Sequence, residues 1–184
     1  MFKSYYPYEY ADSVFDIDYD KLYSKGYRGL IFDVDNTLVH HGDDSTPEVD
    51  RLFYNIKKTG FRTVILSDND EKRILRFLEN IDSPYVCEAG KPDTEGYIKA
   101  LEILEMDRSQ VLVIGDQIFK DILGANRSGI GSILVKFIRL ESETRIGKRR
   151  QLEKVILWFY KRNRKYRHRL GDVLKKCSDG KEVK

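Results

Sequence analysis

Residues 27–39 read YRGLIFDVDNTLV, a short apolar run that ends abruptly on carboxylates. Such a run reads as a buried strand of a parallel sheet, with the carboxylates beyond its carboxyl end. Outward from it the pattern alternates. Thr46 can cap a helix that opens with Pro47 and carries Val49, Leu52, Phe53 and Ile56 at helical spacing before Gly60 ends it. Residues 61–67, FRTVILS, give a second strand, and Asp68-Asn69-Asp70 can cap a helix bearing Ile74, Leu75 and Leu78. A short strand at 85–87 follows, then a helix over 94–105 presenting Ile98, Leu101 and Leu104, and an apolar run at 110–115. A helix near 121–128 and a strand at 132–137 complete the series. Strands alternating with helices of this length specify an α/β, Rossmann-like fold: a parallel sheet covered on both faces, with right-handed crossovers. Ligands bind such sheets beyond the carboxyl ends of the strands.

Composition sets the bounds. The chain has 184 residues, 41% apolar and 34% charged, which fits one soluble domain and neither a disordered polymer nor a membrane-embedded one. No stretch approaches the roughly 18 apolar residues of a membrane span, and the start MFKSYYPYEYADS lacks a signal-peptide core. Cys87 and Cys177, far apart and without zinc-spaced histidines, fit a reducing cytoplasm. The formal charge of +3 hides an asymmetry: residues 139–184 carry a net +10 and residues 1–138 a net −7. A cationic tail suggests a polyanionic neighbour, either a phospholipid surface or nucleic acid, unless it is simply a solvated face.

The first strand ends in Asp33-Val34-Asp35-Asn36-Thr37, where Asp33 and Asp35 can project toward one site if the chain turns. Two close carboxylates stay ionised only when a cation or strong donors compensate them, and a hard divalent ion such as Mg2+ suits oxygen ligands. Alone, the motif equally describes a capped turn with solvated aspartates. Three other strand ends carry complementary groups. Ser67 offers a hydroxyl beside a helix start, Lys91 in AGKP offers a point charge for a phosphate, and Gly115-Asp116 is followed by Asp121. Each has a dull explanation singly; the ordered set at four strand ends does not.

FDVDNTL, ILS, AGKP and GDQIFKD, in this order over residues 27–137, resemble the four motifs of the haloacid dehalogenase superfamily of phosphotransferases. The N-terminal YPYEYADSVFDIDYDKLYSKGYRGLIFDVDNTLV together with GDQIFKDILGANRSGIGSILV resembles, more closely, the YqeG-like subfamily IIIA phosphatases, a group that includes the mitochondrial type of phosphatidylglycerophosphatase. The resemblance implies that Asp33 is the nucleophile forming an aspartyl-phosphate and that Asp35 is the acid/base. It implies Mg2+ held by the Asp33 carboxylate, the Asp35 backbone carbonyl and Asp116, with Asp121 as a further or water-mediated ligand. Ser67 and Lys91 would bind the phosphoryl oxygens with Asp68 beside them, while Asn36 and Thr37 would support the loop. Two positions depart from the subfamily pattern: Asp68 stands where asparagine is usual, and Lys120 where a small hydroxyl residue is usual. Neither removes a catalytic group.

Only 31 residues run from Thr37 to Ser67, already filled by a helix and a strand, so no cap domain fits there. An open site suits a phosphate presented on something large, such as a lipid, a protein or a polynucleotide. In the tail, Leu152, Val155, Ile156, Phe159, Tyr166 and Leu170 form one helical stripe, with Arg150, Lys154, Lys161, Arg164 and Lys165 mainly opposite and Trp158 between. That pattern describes an interfacial helix over 148–169, and equally a helix packed on its own domain.

The expected organisation is an aromatic arm at 1–26 packing on the domain, a catalytic core at 27–138 and a basic helical tail at 139–184. His40 and His41 read as solvated loop residues, and the tyrosines at 5, 6, 8 and 10 as packing. The expected function is Mg2+-dependent phosphomonoester hydrolysis in the cytoplasm, peripheral at the inner face of the membrane, with phosphatidylglycerophosphate as leading substrate. The alternatives are a soluble phosphate ester, a nucleic-acid end, or a non-catalytic adaptor that binds a polyanion.

Overall fold

The computed structural model describes residues 3–139 and 147–175. Residues 140–146 and 176–184, part of the expected basic tail and including Cys177, lie outside the described residues. Six strands form one parallel sheet: β1 (Glu9–Ala11), β2 (Gly29–Phe32), β3 (Arg62–Leu66), β4 (Tyr85–Val86), β5 (Val111–Gly115) and β6 (Gly131–Val135), in the order β1-β6-β5-β2-β3-β4. Helices α1 (Tyr19–Ser24), α2 (Pro47–Thr59), α3 (Glu71–Phe77), α4 (Thr94–Leu104), α5 (Leu123–Arg127) and α6 (Lys148–Arg162) accompany them.

Alternation of side chains along each strand splits the core in two. Leu30, Phe32, Ile65, Leu112 and Ile114 pack with Val49, Leu52, Phe53 and Ile56 of α2. Ile31, Val64, Leu66, Val111 and Val113 pack on the other face with Tyr97, Ala100 and Leu104 of α4. Helix α2 begins as its sequence dictates, with the Thr46 hydroxyl accepting from the Val49 N–H and Gly60 closing the helix in the left-handed region at φ 108°. Helix α4 keeps Leu104 and Leu101 of the expected face on the core but not Ile98. Tyr97 and Ala100 are fully buried and Ile98 is exposed, because the Tyr97 hydroxyl reaches the Lys120 and Asp121 backbone carbonyls. In α3 it is Phe77 rather than Leu75 that joins Ile74 in the core.

The N-terminal arm contributes more than a strap. Its residues Glu9–Ala11 add a parallel edge strand against Ile133–Val135, a segment too short to show any apolar periodicity. The tail also differs from expectation. Helix α6 stops at Arg162, and the expected stripe splits: Ile156 and Tyr160 bury against Tyr6, Ile118, Ile122 and Leu134, whereas Leu152, Val155 and Trp158 are each about half exposed. Beyond the helix, Leu170 and Val173 join the main core. Burying two or three such side chains stabilises each by roughly 1.5–3 kcal/mol, enough to seat the segment on its own domain.

Candidate active site

Strand order reverses between β2 and β5, and the residues directly beyond these strands are Asp33 and Asp116. A π-helical turn, Ile118–Ile122, then brings Asp121 back over the end of β5. This return demands glycine at position 115, since a Cβ there would lie 2.4 Å from Asp121 Cγ. The result is three buried carboxylates, Asp33, Asp116 and Asp121, each offering one oxygen within 4.8 Å of the others. Thr37 Oγ1 stands between two of them, 3.1 Å from Asp33 Oδ2 and 3.2 Å from Asp116 Oδ1.

Two cations meet this cluster. Lys91 Nζ, buried, donates to Asp33 Oδ1 at 2.5 Å, to Asp121 Oδ1 at 2.8 Å and to the Leu66 carbonyl at 3.2 Å. Burial opposes its charge, yet the Asp121 and Asp33 carboxylates hold Lys91 well above the ordinary lysine range. Arg150 of α6 ion-pairs with Asp116 Oδ2 and donates from Nη1 to the Asp116 backbone carbonyl at 2.7 Å. The carboxylates still outnumber the cations. Burial first, and the negative charge of Asp121 with it, push Asp33 up to about 6, against the pull of Lys91. Burial and the charges of Asp33 and Asp121 push Asp116 up to about 8, against the pull of Arg150.

Asp35 has a different setting. Its carboxylate turns away from the cluster and accepts from Asn69 Nδ2 at 2.8 Å, Arg73 Nη2 at 3.0 Å and the Gly42 N–H at 3.3 Å, with His41 Nδ1 at 2.9 Å. Half-burial disfavours its charge, but the Asn69, Gly42, Arg73 and His41 donors more than offset this and hold it below the usual carboxylate range. Asn36, at φ 63°, turns the chain directly after Asp35, and its backbone N–H donates to the Val39 carbonyl at 2.7 Å. His41, read as solvated, has a largely exposed side chain that nonetheless reaches Asp35 through Nδ1.

Ser67, buried one residue beyond β3, accepts from Asn69 through both its N–H and Nδ2. Asp68 accepts from the Lys91 N–H at 2.9 Å and pairs with Lys120 Nζ at 2.7 Å. The two positions that depart from the subfamily pattern thus neutralise each other directly. Every expected site residue lies on this edge. Sequence reasoning missed Asn69, Arg73, Arg150 and Glu153. Asn69 and Arg73 had a signal, since both lie within the expected cap and first turn of the helix after Ser67. Arg150, placed on the solvated side of the tail, had none.

Three buried carboxylates with a serine and a lysine at adjoining strand ends can hold a hard cation and a phosphoryl group side by side. Residues 42–129 match the haloacid dehalogenase-like hydrolase family model, a span that takes in Ser67, Lys91, Asp116 and Asp121. The chain is also 34% identical over 161 residues, 87% of its own length and 94% of the relative's, to a Bacillus subtilis (strain 168) protein named "Probable phosphatase YqeG". The chain belongs to the haloacid dehalogenase-like hydrolase family. It is an enzyme of the phosphatase class. A second relative, "Glyceraldehyde 3-phosphate phosphatase" of Pyrococcus abyssi (strain GE5 / Orsay), is 25% identical over 50% of this chain and 42% of its own. The fold is that of a crystal structure from Listeria monocytogenes serotype 4b, with a TM-score of 0.52 at 19% identity, covering 73% of this chain and 99% of that one.

The donor set fits Mg2+. Three oxygen ligands converge from side chains whose burial, and then mutual repulsion, raises two of their pKa values, so a hard dication would relieve what Lys91 and Arg150 leave unbalanced.

Proposed function

We propose that this phosphatase hydrolyses phosphomonoesters through an aspartyl-phosphate on Asp33, with a membrane lipid as its phosphate carrier. The observation that carries the reaction is the convergence of Asp33, Asp116 and Asp121 on one point beside Lys91 and Ser67. A bound Mg2+ would neutralise negative charge on the transferring phosphoryl group, held by Asp33, Asp116, Asp121 and the Asp35 backbone carbonyl. An Asp33 carboxylate oxygen attacks phosphorus in line, the phosphorus–oxygen ester bond breaks, and the leaving alkoxide takes a proton from Asp35. Water then attacks the phosphoaspartate, gives its proton to Asp35, and phosphate leaves with Asp33 restored. In the first step Asp35 must hold a proton; a phosphoryl dianion alongside it raises its low pKa by like-charge repulsion. Lys91 and Ser67 bind phosphoryl oxygens. Asp68 contributes its backbone N–H, its carboxylate being engaged by Lys91 and Lys120.

Two features support the lipid carrier. Among the described residues no inserted domain covers the site: the segment between β2 and β3 is one loop and α2. Helix α6 presents half-exposed Leu152, Val155 and Trp158 among Lys148, Lys154, Lys161 and Arg162, a mixed apolar and cationic face suited to an anionic bilayer. Among the described residues, no helix is long and apolar enough to cross a membrane. The test is release of phosphate, with Mg2+, from phosphatidylglycerophosphate in anionic vesicles and from small soluble esters, using Asp33→Asn as the blank. Vesicle sedimentation lost at high salt, and lipid turnover impaired by reversing Lys161, Arg162, Arg164 and Lys165 to glutamate while soluble-ester turnover is kept, supports the lipid reading. Equal loss on both substrates, or salt-dependent RNA binding with no vesicle binding, overturns it.

A further inference from the structure

Helix α6 does more than cover the sheet edge. Its first two turns touch both segments that carry metal-site carboxylates beyond β5. Arg150 pairs with Asp116 Oδ2 and donates to the Asp116 backbone carbonyl, so it grips the residue at two points. Glu153, one turn on, is buried; its Oε2 accepts from Arg150 Nη1 at 3.0 Å and its Oε1 from the Phe119 N–H at 3.3 Å, inside the turn that presents Asp121. Phe137 lies under the guanidinium, 4.8 Å from its carbon, and fixes its plane.

The geometry distinguishes support from competition. Asp116 Oδ1 faces Asp33 across Thr37, whereas Arg150 holds Oδ2, the oxygen on the opposite side. Arg150 therefore takes the Asp116 oxygen that Thr37 leaves open, and its other partners are the Asp116 backbone carbonyl and Glu153. Its charge is shared with Glu153, so it orients Asp116 while adding little net repulsion toward a cation in front of it. We propose that Arg150 and Glu153 form a clamp that positions two of the three metal-site carboxylates, making the C-terminal helix part of the active centre. The proposal rests on the Mg2+ reading above and concerns residues outside the motifs that carry the family resemblance.

The experiment is calorimetric titration of the full chain with Mg2+ alone, without ester, for the wild type, Arg150→Met, Arg150→Lys and Glu153→Gln. Removing partners that orient a ligand typically weakens metal affinity by about 10–100-fold, and Arg150→Met should do so. Arg150→Lys, keeping the charge but losing the fork, should fall between, and Glu153→Gln should weaken binding because the unshared arginine charge then opposes the cation. Raised Mg2+ should restore kcat of Arg150→Met with the KM for a soluble ester unchanged, which a general packing defect would not allow. Binding by Arg150→Met as tight as wild type, or tighter, overturns the clamp; should that variant fail to fold, Arg150→Lys and Glu153→Gln decide by the same criterion. A wild type that binds no Mg2+ removes the metal reading and the clamp together, a pattern distinct from loss in the variants alone.

Discussion

The catalytic edge has two unlike halves. Beyond β2 and β5 stand Asp33, Asp116 and Asp121, buried and mutually repelling. Beyond β3 and β4 stand Asn69, Arg73 and Lys91, which donate hydrogen bonds or carry positive charge, and Ser67, whose hydroxyl accepts from Asn69. The first half alone is a costly arrangement, since burial and like charge push Asp33 and Asp116 toward protonation. It is held together by Lys91 crossing from the second half and Arg150 reaching in from α6. An anionic half that needs cations stands beside a cationic half that needs anions, which suits the proposed metal and phosphoryl group. The pair Asp33 and Asp35, two residues apart, belongs to this division: burial and the nearby Asp121 raise the pKa of one carboxylate despite Lys91, while the donors Asn69, Gly42 and Arg73 lower that of the other despite its burial.

The severest way to break the division is at Asp33, the proposed nucleophile. Asp33→Asn should abolish phosphate release, by well over roughly 100-fold, while circular dichroism shows the fold retained, because an amide cannot attack phosphorus. Wild-type turnover in that variant would end the assignment. Next is the residue that joins the halves. Lys91→Met leaves two buried carboxylates without their shared donor, so denaturant titration should show a loss of about 3–5 kcal/mol, with turnover lost as well. A variant as stable as wild type would mean that the carboxylates find other partners.

Removing Mg2+ with a chelator should stop turnover and adding it back should restore it, while Asp116→Ala should raise the Mg2+ concentration for half-maximal rate. Turnover indifferent to chelator would separate the acidic half from metal binding altogether. The smallest effect is expected at Asp68 and Lys120, both about 30% exposed. A double-mutant cycle to alanine should give a coupling of about 0.2–1 kcal/mol, the usual range for a partly solvated pair. A value near zero would mean that the two unusual residues are independent neighbours.

Much of this edge was legible in the chain. The run at β2, the capped start of α2, and the apolar strands β3 and β5 are local patterns, and their carboxyl ends carry Asp33, Ser67 and Asp116 because the chain must leave the sheet there. Strand β1 was not legible: three residues give no period, and only the exposed edge of β6 makes them a strand. The exposure of Ile98 and burial of Tyr97 in α4 have a similar origin, since the Tyr97 hydroxyl makes hydrogen bonds to residues more than 20 positions away.

The sequence by itself determined the order of strand ends, the identity of the groups placed on them and the absence of room for a cap between Thr37 and Ser67, because apolar period and turn chemistry act over a few residues. Tertiary structure alone decided that Asp68 faces Lys120, that Asp35 faces Arg73, and that Arg150 leaves the solvated side of α6 to grip Asp116, 34 positions earlier. A buried cation and a surface cation look alike in a helical pattern. What separates them is a carboxylate brought close by the packing of Ile156 and Tyr160 on the sheet edge, where leaving the water costs the arginine less than leaving Asp116 unpaired.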